Sequence, residues 1–500
     1  MGLKASLSKP FAKLAVKNVR KWSKNPIETQ EAVFLSLIAA ARNTTFGKDH
    51  GFENIHNYGD FKKAVPVNDY EGLRSYADRV KKGEEDILWP GKPLYLSKTS
   101  GTTSGAKYIP ITKESIPHQI QAARDAILHY IAETGKADFV NHKMIFLQGS
   151  PELDTSGPIP VGRLSGIVAH HVPGYLQRNR LPSLATNIID VWETKVDAVC
   201  DETIKEKMSL ISGIPPWVQM YFEKLIEKSG KKSIQEIFPD FSLFIHGGVN
   251  YEPYRHTMES LIGKRVDSIE LYPASEGFIA YQDSQKEQGM LLLLNSGIFY
   301  EFIPTEEYGT KNPTRISLSG VELNQNYVLI LNTNAGLWGY NIGDTVRFVS
   351  LAPYRIVVTG RIKHFTSAFG EHVIAEEVEK AIAFASEKTG IEVVEFHLAP
   401  QTESINGELP YHEWAIEFKE QGIDSTGFAA LLNSKMTELN SYYKDLLEGK
   451  MLQALKIASI QKDGFQNYMK SKGKLGGQNK LPRLANDRGI IEELKGSRIM

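Results

Sequence analysis

The spacing of apolar positions predicts alternating helices and strands over the first two thirds of the chain. Apolar residues recur at helical spacing over 28–45, and a longer helical pattern over 114–134 ends near Gly135. The segment 187–229 reads as successive helices broken at 213–216. Short apolar runs typical of buried strands lie at 140–148, 241–246, 267–272, 290–294, 326–331 and 344–349. Strands that alternate with helices predict an α/β architecture.

The pattern changes near Gly360, and the remainder of the chain predicts a separate, smaller domain. A strand at 354–359 is followed by a helical pattern, two strand-like runs and a second helical pattern, at 376–388, 393–398, 412–418 and 425–446. This αββα order is typical of a small α+β domain. We therefore expect a large N-terminal domain of layered β-sheets and helices over 1–360 and a smaller α+β C-terminal domain over 361–500.

Composition and charge narrow the class of protein. With 500 residues, of which 41% are hydrophobic, the chain is long enough for two or more globular domains. Its 58 basic and 59 acidic residues give a net charge of −1, which is not typical of a general nucleic-acid binder. The single cysteine, Cys200, excludes an intrachain disulfide and a cysteine-based zinc site. This cysteine content fits a reducing cytoplasm, which is where we expect the protein. No apolar run approaches the roughly 20 residues that span a bilayer, so we expect no transmembrane segment.

The N-terminal segment combines positive charge with apolar residues at helical spacing. Seven basic residues precede Glu28, the first acidic residue, and they interleave with Leu7, Phe11, Leu14, Ala15, Val19 and Trp22. The pattern predicts a helix that either packs on the N-terminal domain, the interpretation we favour, or lies on a membrane surface.

A loop rich in glycine and hydroxyl residues lies between two predicted strands, at 93–96 and 108–112. It reads Ser97-Lys98-Thr99-Ser100-Gly101-Thr102-Thr103-Ser104-Gly105-Ala106-Lys107. Glycines let the backbone approach a polyphosphate, to which N–H groups, hydroxyls and Lys107 can donate. The loop is not a Walker A motif, because three residues separate its glycines and Tyr108 follows the lysine. Taken alone, it fits a phosphate clamp and a plain polar surface loop equally well.

Four shorter motifs follow, and each of them alone is also typical of an ordinary surface turn. Tyr272-Pro273-Ala274-Ser275-Glu276-Gly277 comes directly after a predicted strand, where Tyr272 can stack on a purine and Glu276 can hold Mg²⁺. Asp344, which follows Gly343, can accept hydrogen bonds from ribose hydroxyls. Arg361 lies at the predicted domain boundary. Lys480 stands in a late segment, Gly476-Gly477-Gln478-Asn479-Lys480-Leu481-Pro482-Arg483, as a candidate reactive-site cation.

The order of these motifs resembles that of the adenylate-forming superfamily, which contains acyl-CoA synthetases, luciferases and peptide-synthetase adenylation domains. Within it, the chain most closely resembles bacterial-type members of the Gretchen Hagen family of auxin-responsive acyl-acid amido synthetases. The residues that carry this resemblance are Thr99-Ser100-Gly101-Thr102-Thr103-Ser104-Gly105, Gly213-Ile214-Pro215-Pro216-Trp217, Tyr272-Pro273-Ala274-Ser275-Glu276-Gly277, Tyr340-Asn341-Ile342-Gly343-Asp344 and Gln478-Asn479-Lys480-Leu481-Pro482-Arg483.

The resemblance implies a role for each candidate residue and the use of ATP and Mg²⁺. The implied catalytic residues are Lys480, Ser275 near the α-phosphate, and Glu276 as the Mg²⁺ ligand. The implied nucleotide-binding residues are Ser100, Gly101, Thr102, Thr103 and Lys107 at the β- and γ-phosphates, and Gly247, Gly248, Tyr272, Asp344 and Arg361 at the base and ribose. Lys363 falls at the hinge of the superfamily, which implies that the C-terminal domain is mobile.

The implied reaction joins two small-molecule partners, a carboxylic acid and an amine such as an amino acid. The acid would be activated as an acyl-adenylate with release of pyrophosphate, and the amine would then displace AMP to form an amide. Two alternatives stay open: an acyl-CoA ligase on the same scaffold, and a non-catalytic protein that binds a nucleotide or an acyl ligand. The presence of both Glu276 and Lys480 argues against the second alternative. The auxin-conjugating plant members are longer than this chain, so the resemblance does not extend to a plant-hormone substrate.

Overall fold

The computed structural model describes residues 3–99, 107–172, 174–189, 192–362, 365–366, 373–402, 409–448, 451–475, 480–485 and 487–499. The chain divides into two compact units. The first comprises Met1–Gly248 and Lys264–Val357, and the second comprises Val249–Gly263 and Val358–Met500. The second unit thus includes an internal segment, 249–263, that the sequence prediction leaves within the N-terminal domain.

The helices of the described residues range from one turn to about six turns in length. They are α1 (Leu3–Ser23), α2 (Pro26–Ala41), α3 (Thr45–Asp49), α4 (Tyr58–Ala64), α5 (Tyr70–Lys81), α6 (Ile116–Thr134), α7 (Leu164–His170), α8 (Gly174–Gln177), α9 (Leu184–Asn187), α10 (Trp192–Thr203), α11 (Pro215–Ser229), α12 (Ile234–Ile237), α13 (Glu252–Ile262), α14 (Ala375–Thr389), α15 (Thr426–Leu439), α16 (Ser441–Glu448), α17 (Gly464–Ser471) and α18 (Gly489–Glu493).

The strands are mostly short, and the longest, β14, has 12 residues. They are β1 (Tyr95–Thr99), β2 (Lys107–Ile111), β3 (Lys143–Phe146), β4 (Val161–Gly162), β5 (Arg180–Leu181), β6 (Met208–Ser212), β7 (Leu243–Gly247), β8 (Asp267–Ala274), β9 (Gly277–Tyr281), β10 (Met290–Leu292), β11 (Ile298–Pro304), β12 (Ile316–Ser317), β13 (Asn326–Thr333), β14 (Tyr340–Leu351), β15 (Tyr354–Arg361), β16 (Phe365–Thr366), β17 (Val373–Ile374), β18 (Val393–Gln401), β19 (Tyr411–Phe418) and β20 (Lys456–Ile460).

The first unit is built around a large mixed sheet. Among the described residues its strand order is β12-β11-β13-β14-β15-β10-β9-β8-β7-β6-β3-β5. Strands β5, β3, β6, β7 and β8 pair parallel with one another. The pairs β8–β9, β9–β10, β11–β12, β11–β13 and β13–β14 are antiparallel. Parallel neighbours need a crossover connection, which α11 supplies between β6 and β7. The predicted α/β class, with layered sheets and helices, is confirmed.

A small separate sheet of the first unit, with order β2-β1-β4, carries the glycine-rich loop. Helix α1 packs against α6 through small residues on one face, where Ala12 and Ala15 are buried in a common core with Ala122 and Ala126. This contact confirms that the N-terminal helix packs on the large domain. Among the described residues, no helix is long and apolar enough to cross a membrane.

The core of the first unit also encloses Cys200, on α10. Its side chain is fully buried, and burial raises the pKa of its thiol to about 12. Cys200 is therefore a small apolar core residue and not a reactive thiol.

The second unit is α+β, as predicted, but contains more elements than the expected αββα order. Strands β18 and β19 pair antiparallel, and β20 adds a parallel strand beside β19. Helices α14 and α15 pack with this sheet around Trp414 and Ile416, both of which are fully buried. The predicted helix 425–446 is two helices, α15 and α16, separated at Asn440, whose side chain accepts a hydrogen bond from the N–H of Tyr443.

Two predictions from the pattern were wrong in detail. The segment 187–229 is not wholly helical, because Met208–Ser212 forms the strand β6 between β3 and β7. A five-residue buried run has no periodicity by which to distinguish a strand from a helix. The predicted strand 140–148 is shorter, since a 3₁₀ turn at Asp138–Asn141 precedes β3.

Candidate active site

The glycine-rich loop is held at its base by a strand pair. In the ladder of β1 and β2, Thr99 lies opposite Lys107, and Ser97 lies opposite Ile109. The two ends of the loop are therefore neighbours, and half-buried Lys107 begins the second strand. Four predicted phosphate ligands, Ser100, Gly101, Thr102 and Thr103, lie outside the described residues.

Strand β1 is joined to the motif at Tyr272–Gly277 by a hydrogen bond between two serines. The hydroxyls of Ser97 and Ser275 lie 2.8 Å apart, and both side chains are buried. Beside them, the side-chain amide of Gln119 on α6 donates to the carbonyl of Ala274 at 3.0 Å. These two bonds place the turn that carries Ser275 against the strand that leads into the loop.

Glu276 lies next to the motif at Tyr340–Asp344. It follows Ser275 in the turn between β8 and β9, whose strands pair Ala274 with Gly277. Burial raises the pKa of Tyr340 well above its ordinary value, and the nearby carboxylate of Glu276 raises it further. Since Tyr340 begins β14, this electrostatic contact brings the candidate metal ligand beside the strand that carries Asp344.

Tyr272 and Asp344 are in direct contact. The phenol of Tyr272 donates to the carboxylate of Asp344 at 2.6 Å, and both side chains are buried. Gly343, directly before Asp344, has φ of +91°, a left-handed conformation that glycine adopts without strain. The glycine lets the strand turn its next residue towards β8.

Gly247 and Gly248 stand at the carboxyl end of β7, beside β8. Gly247 pairs with Leu271, and a Cβ at this position would come within 2.2 Å of the Leu271 carbonyl oxygen. A larger residue would separate β7 from β8 directly before Tyr272. The crevice outside the carboxyl ends of parallel strands is where open α/β sheets commonly bind ligands.

The remaining candidates belong to the second unit. Arg361 is the last residue of β15 and is exposed, and Lys480 is exposed at the start of a described segment, 480–485. Lys363, the predicted hinge residue, lies outside the described residues.

The segment after Lys480 is anchored to β18 by backbone hydrogen bonds. The N–H of Leu398 donates to the Arg483 carbonyl and the N–H of Ala485 donates to the Leu398 carbonyl, both at 2.9 Å. The ring Nδ1 of His397 is 2.8 Å from the Pro482 carbonyl. Lys480 therefore projects from a chain segment that is fixed two residues later.

Arg483 is the buried centre of this anchor. Its guanidinium pairs with Glu395, lies 3.5 Å from the carboxylate of Glu379, and donates to the phenol of Tyr254. Burial alone would lower the pKa of Arg483, but the two carboxylates raise it above its ordinary value. The side chain therefore stays a cation, and its plane also lies 4.5 Å from the centroid of Phe396.

Comparison with models of protein families identifies the family to which the chain belongs. Models of the GH3 family match it in three segments: the GH3 family N-terminal domain at residues 15–187, the central domain at 291–361 and the C-terminal domain at 376–489. Together these segments cover more than half of the chain. It belongs to the GH3 family.

Curated GH3 relatives are distant but extend over most of the chain. An indole-3-acetic acid-amido synthetase, GH3.4 from Arabidopsis thaliana, is 21% identical over 563 aligned positions, which cover 96% of this chain and 93% of the relative. A jasmonoyl–L-amino acid synthetase, JAR4 from Nicotiana attenuata, is 21% identical over an alignment that covers 65% of this chain and 67% of the relative.

Solved structures share the fold of this GH3 chain. The GH3.15 acyl acid amido synthetase superposes with a TM-score of 0.79 at 15% identity, covering 97% of this chain and 96% of the other. A 2-hydroxyisobutyryl-CoA ligase in the postadenylation state, in complex with 2-HIB-AMP, superposes with a TM-score of 0.56 at 14% identity, covering 93% and 91%. The second match shows that the fold is shared with a CoA ligase.

Sequence reasoning missed two residues of this GH3 chain that organise the site. Ser97 was read only as part of the loop, and Arg483 only as part of a motif, although each is buried and makes contacts more than 80 residues away in sequence.

Proposed function

We propose that this chain is an ATP- and Mg²⁺-dependent ligase that activates a carboxylic acid as an acyl-adenylate and then forms an amide with an amino acid. The observation that carries the proposal is the meeting of separate motifs within the first unit, Ser97 with Ser275 and Tyr272 with Asp344. The names of the relatives, an indole-3-acetic acid-amido synthetase and a jasmonoyl–L-amino acid synthetase, support an amide with an amino acid as the product.

The first unit would bind the nucleotide along the edge where these motifs meet. Gly247 and Gly248 would line the adenine pocket, with the ring of Tyr272 against the base. Asp344 would accept hydrogen bonds from the ribose hydroxyls, helped by Arg361. The loop residues Ser100, Gly101, Thr102 and Thr103, with Lys107, would hold the β- and γ-phosphates through hydroxyls, N–H groups and one positive charge.

Mg²⁺ fits this edge as a cation held by one carboxylate and by substrate oxygens. Within the described part of the chain, no three or more His, Cys, Asp and Glu side chains are grouped to hold a metal. Mg²⁺ is commonly bound by one or two carboxylates together with phosphate oxygens, and Glu276 would supply the carboxylate. When bound, the cation would neutralise charge on the phosphates.

In the first step, a carboxylate oxygen of the acid would attack the α-phosphorus of ATP. The new bond joins that oxygen to phosphorus, and the bond to the leaving pyrophosphate breaks. Because negative charge builds on the phosphoryl oxygens, the protein would accelerate the step mainly by positioning and by fixed positive charge. Lys480 would supply this charge at the α-phosphate, and the hydroxyl of Ser275 would lie near it.

In the second step, the amine nitrogen would attack the acyl carbon of the adenylate. The bond from that carbon to the AMP oxygen breaks, an amide forms, and the nitrogen loses a proton. Both steps need shelter from water, since the adenylate hydrolyses. Movement of the C-terminal domain, with Lys363 as the hinge, would provide that shelter between steps.

The decisive experiment is a screen for pyrophosphate release with the purified full-length chain, ATP and Mg²⁺. Aryl and aliphatic carboxylic acids are supplied singly, each alone, with pooled amino acids, or with coenzyme A. We expect at least one acid to drive pyrophosphate release, and its amide to appear by mass spectrometry when amino acids are present.

Each other outcome selects a different function. A thioester product with coenzyme A and no amide would make the chain an acyl-CoA ligase. ATP binding without pyrophosphate release for any acid would favour a binding protein. Lys480→Ala should lower adenylation by about 10²–10³-fold, the usual loss for one electrostatic donor, whereas the matched change Lys474→Ala should leave it unchanged.

A further inference from the structure

Helix α1 has a second apolar face, which points away from the protein. Leu7, Phe11 and Leu14 are 63%, 49% and 54% exposed. They are spaced by four and three residues, so they form one stripe along the helix. Three large apolar side chains exposed in one row are unusual for a surface helix.

The stripe is not needed to hold the helix in place. The face that packs on the first unit consists of Ala5, Ala12, Ala15 and Val19, which are at most 9% exposed. These residues follow the same helical spacing on a different side of α1. Trp22, near the end of the helix, also packs against this core, whereas Leu7, Phe11 and Leu14 are in solvent.

Positive charge flanks the exposed stripe. Lys13, Lys17, Arg20, Lys21 and Lys24 are all exposed on α1 and directly after it. With about 3.6 residues per turn, Lys17 and Lys21 fall between the apolar stripe and the other basic residues. The first acidic residue of the chain is Glu28, so no carboxylate on this helix offsets these charges. On the neighbouring helix α6, Arg124 lies 5.8 Å from the ring of Phe11 and is paired with Asp125.

We propose that this face of α1 docks on an anionic lipid bilayer, with Leu7, Phe11 and Leu14 inserted at the interface and the lysines on lipid phosphates. A large apolar stripe beside a basic one is the pattern of helices that lie in the membrane interface. The proposal goes beyond the proposed ligase activity and does not depend on it.

The charge pattern favours a lipid surface over the other occupants of such a face. A nucleic acid would match the positive charge but would leave the three apolar side chains against phosphates. A second copy of the chain would cover the apolar stripe but would bring the two basic stripes together, and like charges repel. A lipid interface satisfies both stripes at once.

The test is co-sedimentation of the full-length chain with vesicles. One set contains phosphatidylcholine alone, and the other contains phosphatidylcholine and phosphatidylglycerol. We expect binding to the anionic set only, weakened by added salt because the charges are exposed. The variant Leu7→Ser, Phe11→Ser, Leu14→Ser should lower the partition coefficient at least about tenfold. Lys13→Glu with Lys17→Glu should abolish binding.

Matched variants distinguish binding through this face from non-specific adsorption to the vesicles. Leu184, Leu323 and Met451 are 67%, 51% and 61% exposed elsewhere, and their joint change to serine should leave binding unchanged. Lys231→Glu with Lys232→Glu should also leave it unchanged. The proposal is overturned if anionic vesicles do not bind the chain, or if the serine variant at 7, 11 and 14 binds them equally well. It is also overturned if sedimentation velocity without lipid shows a dimer that this variant dissociates, since a second copy would then occupy the face.

Discussion

The hydrogen bond from Tyr272 to Asp344 joins two strands that are not neighbours in their sheet. Strands β8 and β14 are separated by β9, β10 and β15. In a flat sheet, four strand spacings would hold them about 19 Å apart. The sheet must therefore curve strongly between β8 and β14. The 2.6 Å contact lies inside this curve, where the nucleotide is proposed to bind.

Removing this hydrogen bond should weaken ATP binding selectively. Tyr272→Phe keeps an aromatic ring for the base but loses the donor that orients the Asp344 carboxylate. We expect the KM for ATP to rise about tenfold with little change in kcat, since a hydrogen bond to a charged group contributes about 1.5–3 kcal/mol. Pyrophosphate release at varied ATP concentration measures both values.

The first unit offers a matched control for this variant. Tyr130 donates to the carboxylate of Asp267 at the same 2.6 Å, at the opposite end of β8. Tyr130→Phe should leave the KM for ATP unchanged. An equal rise in both variants would mean that the Tyr272 bond acts through general stability and not through the nucleotide.

Loss of the proposed metal ligand should change the requirement for Mg²⁺. Glu276→Gln removes the negative charge but keeps the size of the side chain, so we expect half-maximal activity to need about tenfold more Mg²⁺. Titration of Mg²⁺ at fixed ATP gives this midpoint, with exposed Glu287→Gln as the control. An unchanged midpoint would remove Glu276 from the metal site.

Arg483 should act as a positioning residue for Lys480. Arg483→Lys keeps the charge but loses the planar fork that reaches Glu395, Glu379 and Tyr254 together. We expect kcat for adenylation to fall about tenfold with the KM for ATP nearly unchanged, because the anchor of the lysine segment loosens while the nucleotide contacts of the first unit remain.

A structural role alone would give a different result for Arg483. Arg488 is a half-buried arginine of the same unit, paired with Glu413. Arg488→Lys should destabilise this unit comparably, as judged by thermal unfolding, without lowering kcat per folded molecule. If both variants lower kcat equally, Arg483 has no special relation to Lys480.

The buried carboxyl of Glu417 should make the second unit less stable as pH rises. Burial raises its pKa to about 7, although the N–H groups of Asp463 and Phe465 donate to it. An unfolded glutamate titrates near 4.3, so the folded state binds the proton more tightly. Stability is greatest below the unfolded pKa and is lost as pH rises from about 4.3 through 7.

The variant Glu417→Gln should remove this dependence. Relative to the parent chain, we expect it to gain about 2–3 kcal/mol at pH 8 and little near pH 4. Unfolding by denaturant at the two pH values measures the difference. Exposed Glu420→Gln should behave like the parent at both. A constant offset between Glu417→Gln and the parent would show that the carboxyl does not titrate in this range.

The parts of the site that the sequence predicts are those set by neighbouring residues. The strands on either side of the glycine-rich loop follow from their apolar runs, and β1 and β2 confirm them. The contacts of Ser97 with Ser275 and of Arg483 with Tyr254 join residues 178 and 229 positions apart. No local pattern specifies such pairs, because they depend on how the strands are ordered in space.

The missed strand β6 shows the same limit for the fold. Its apolar residues, Met208, Leu210 and Ile211, lie on both faces, and its first four residues are buried, as expected for a strand that lies between β3 and β7 and is covered on both sides. Periodicity can identify only an element with one buried face. The sequence therefore predicts amphipathic helices such as α6 and α14 more reliably than central strands.

The buried state of Cys200 makes this chain a ready background for site-specific labelling. The only thiol of the sequence is fully enclosed and holds its proton up to a pH of about 12, so thiol reagents at neutral pH will not modify it in the folded protein. A cysteine placed at an exposed position, such as Leu7→Cys, would then be the one reactive group. A fluorophore attached there would report the polarity around α1 directly, with no need to remove a native residue first.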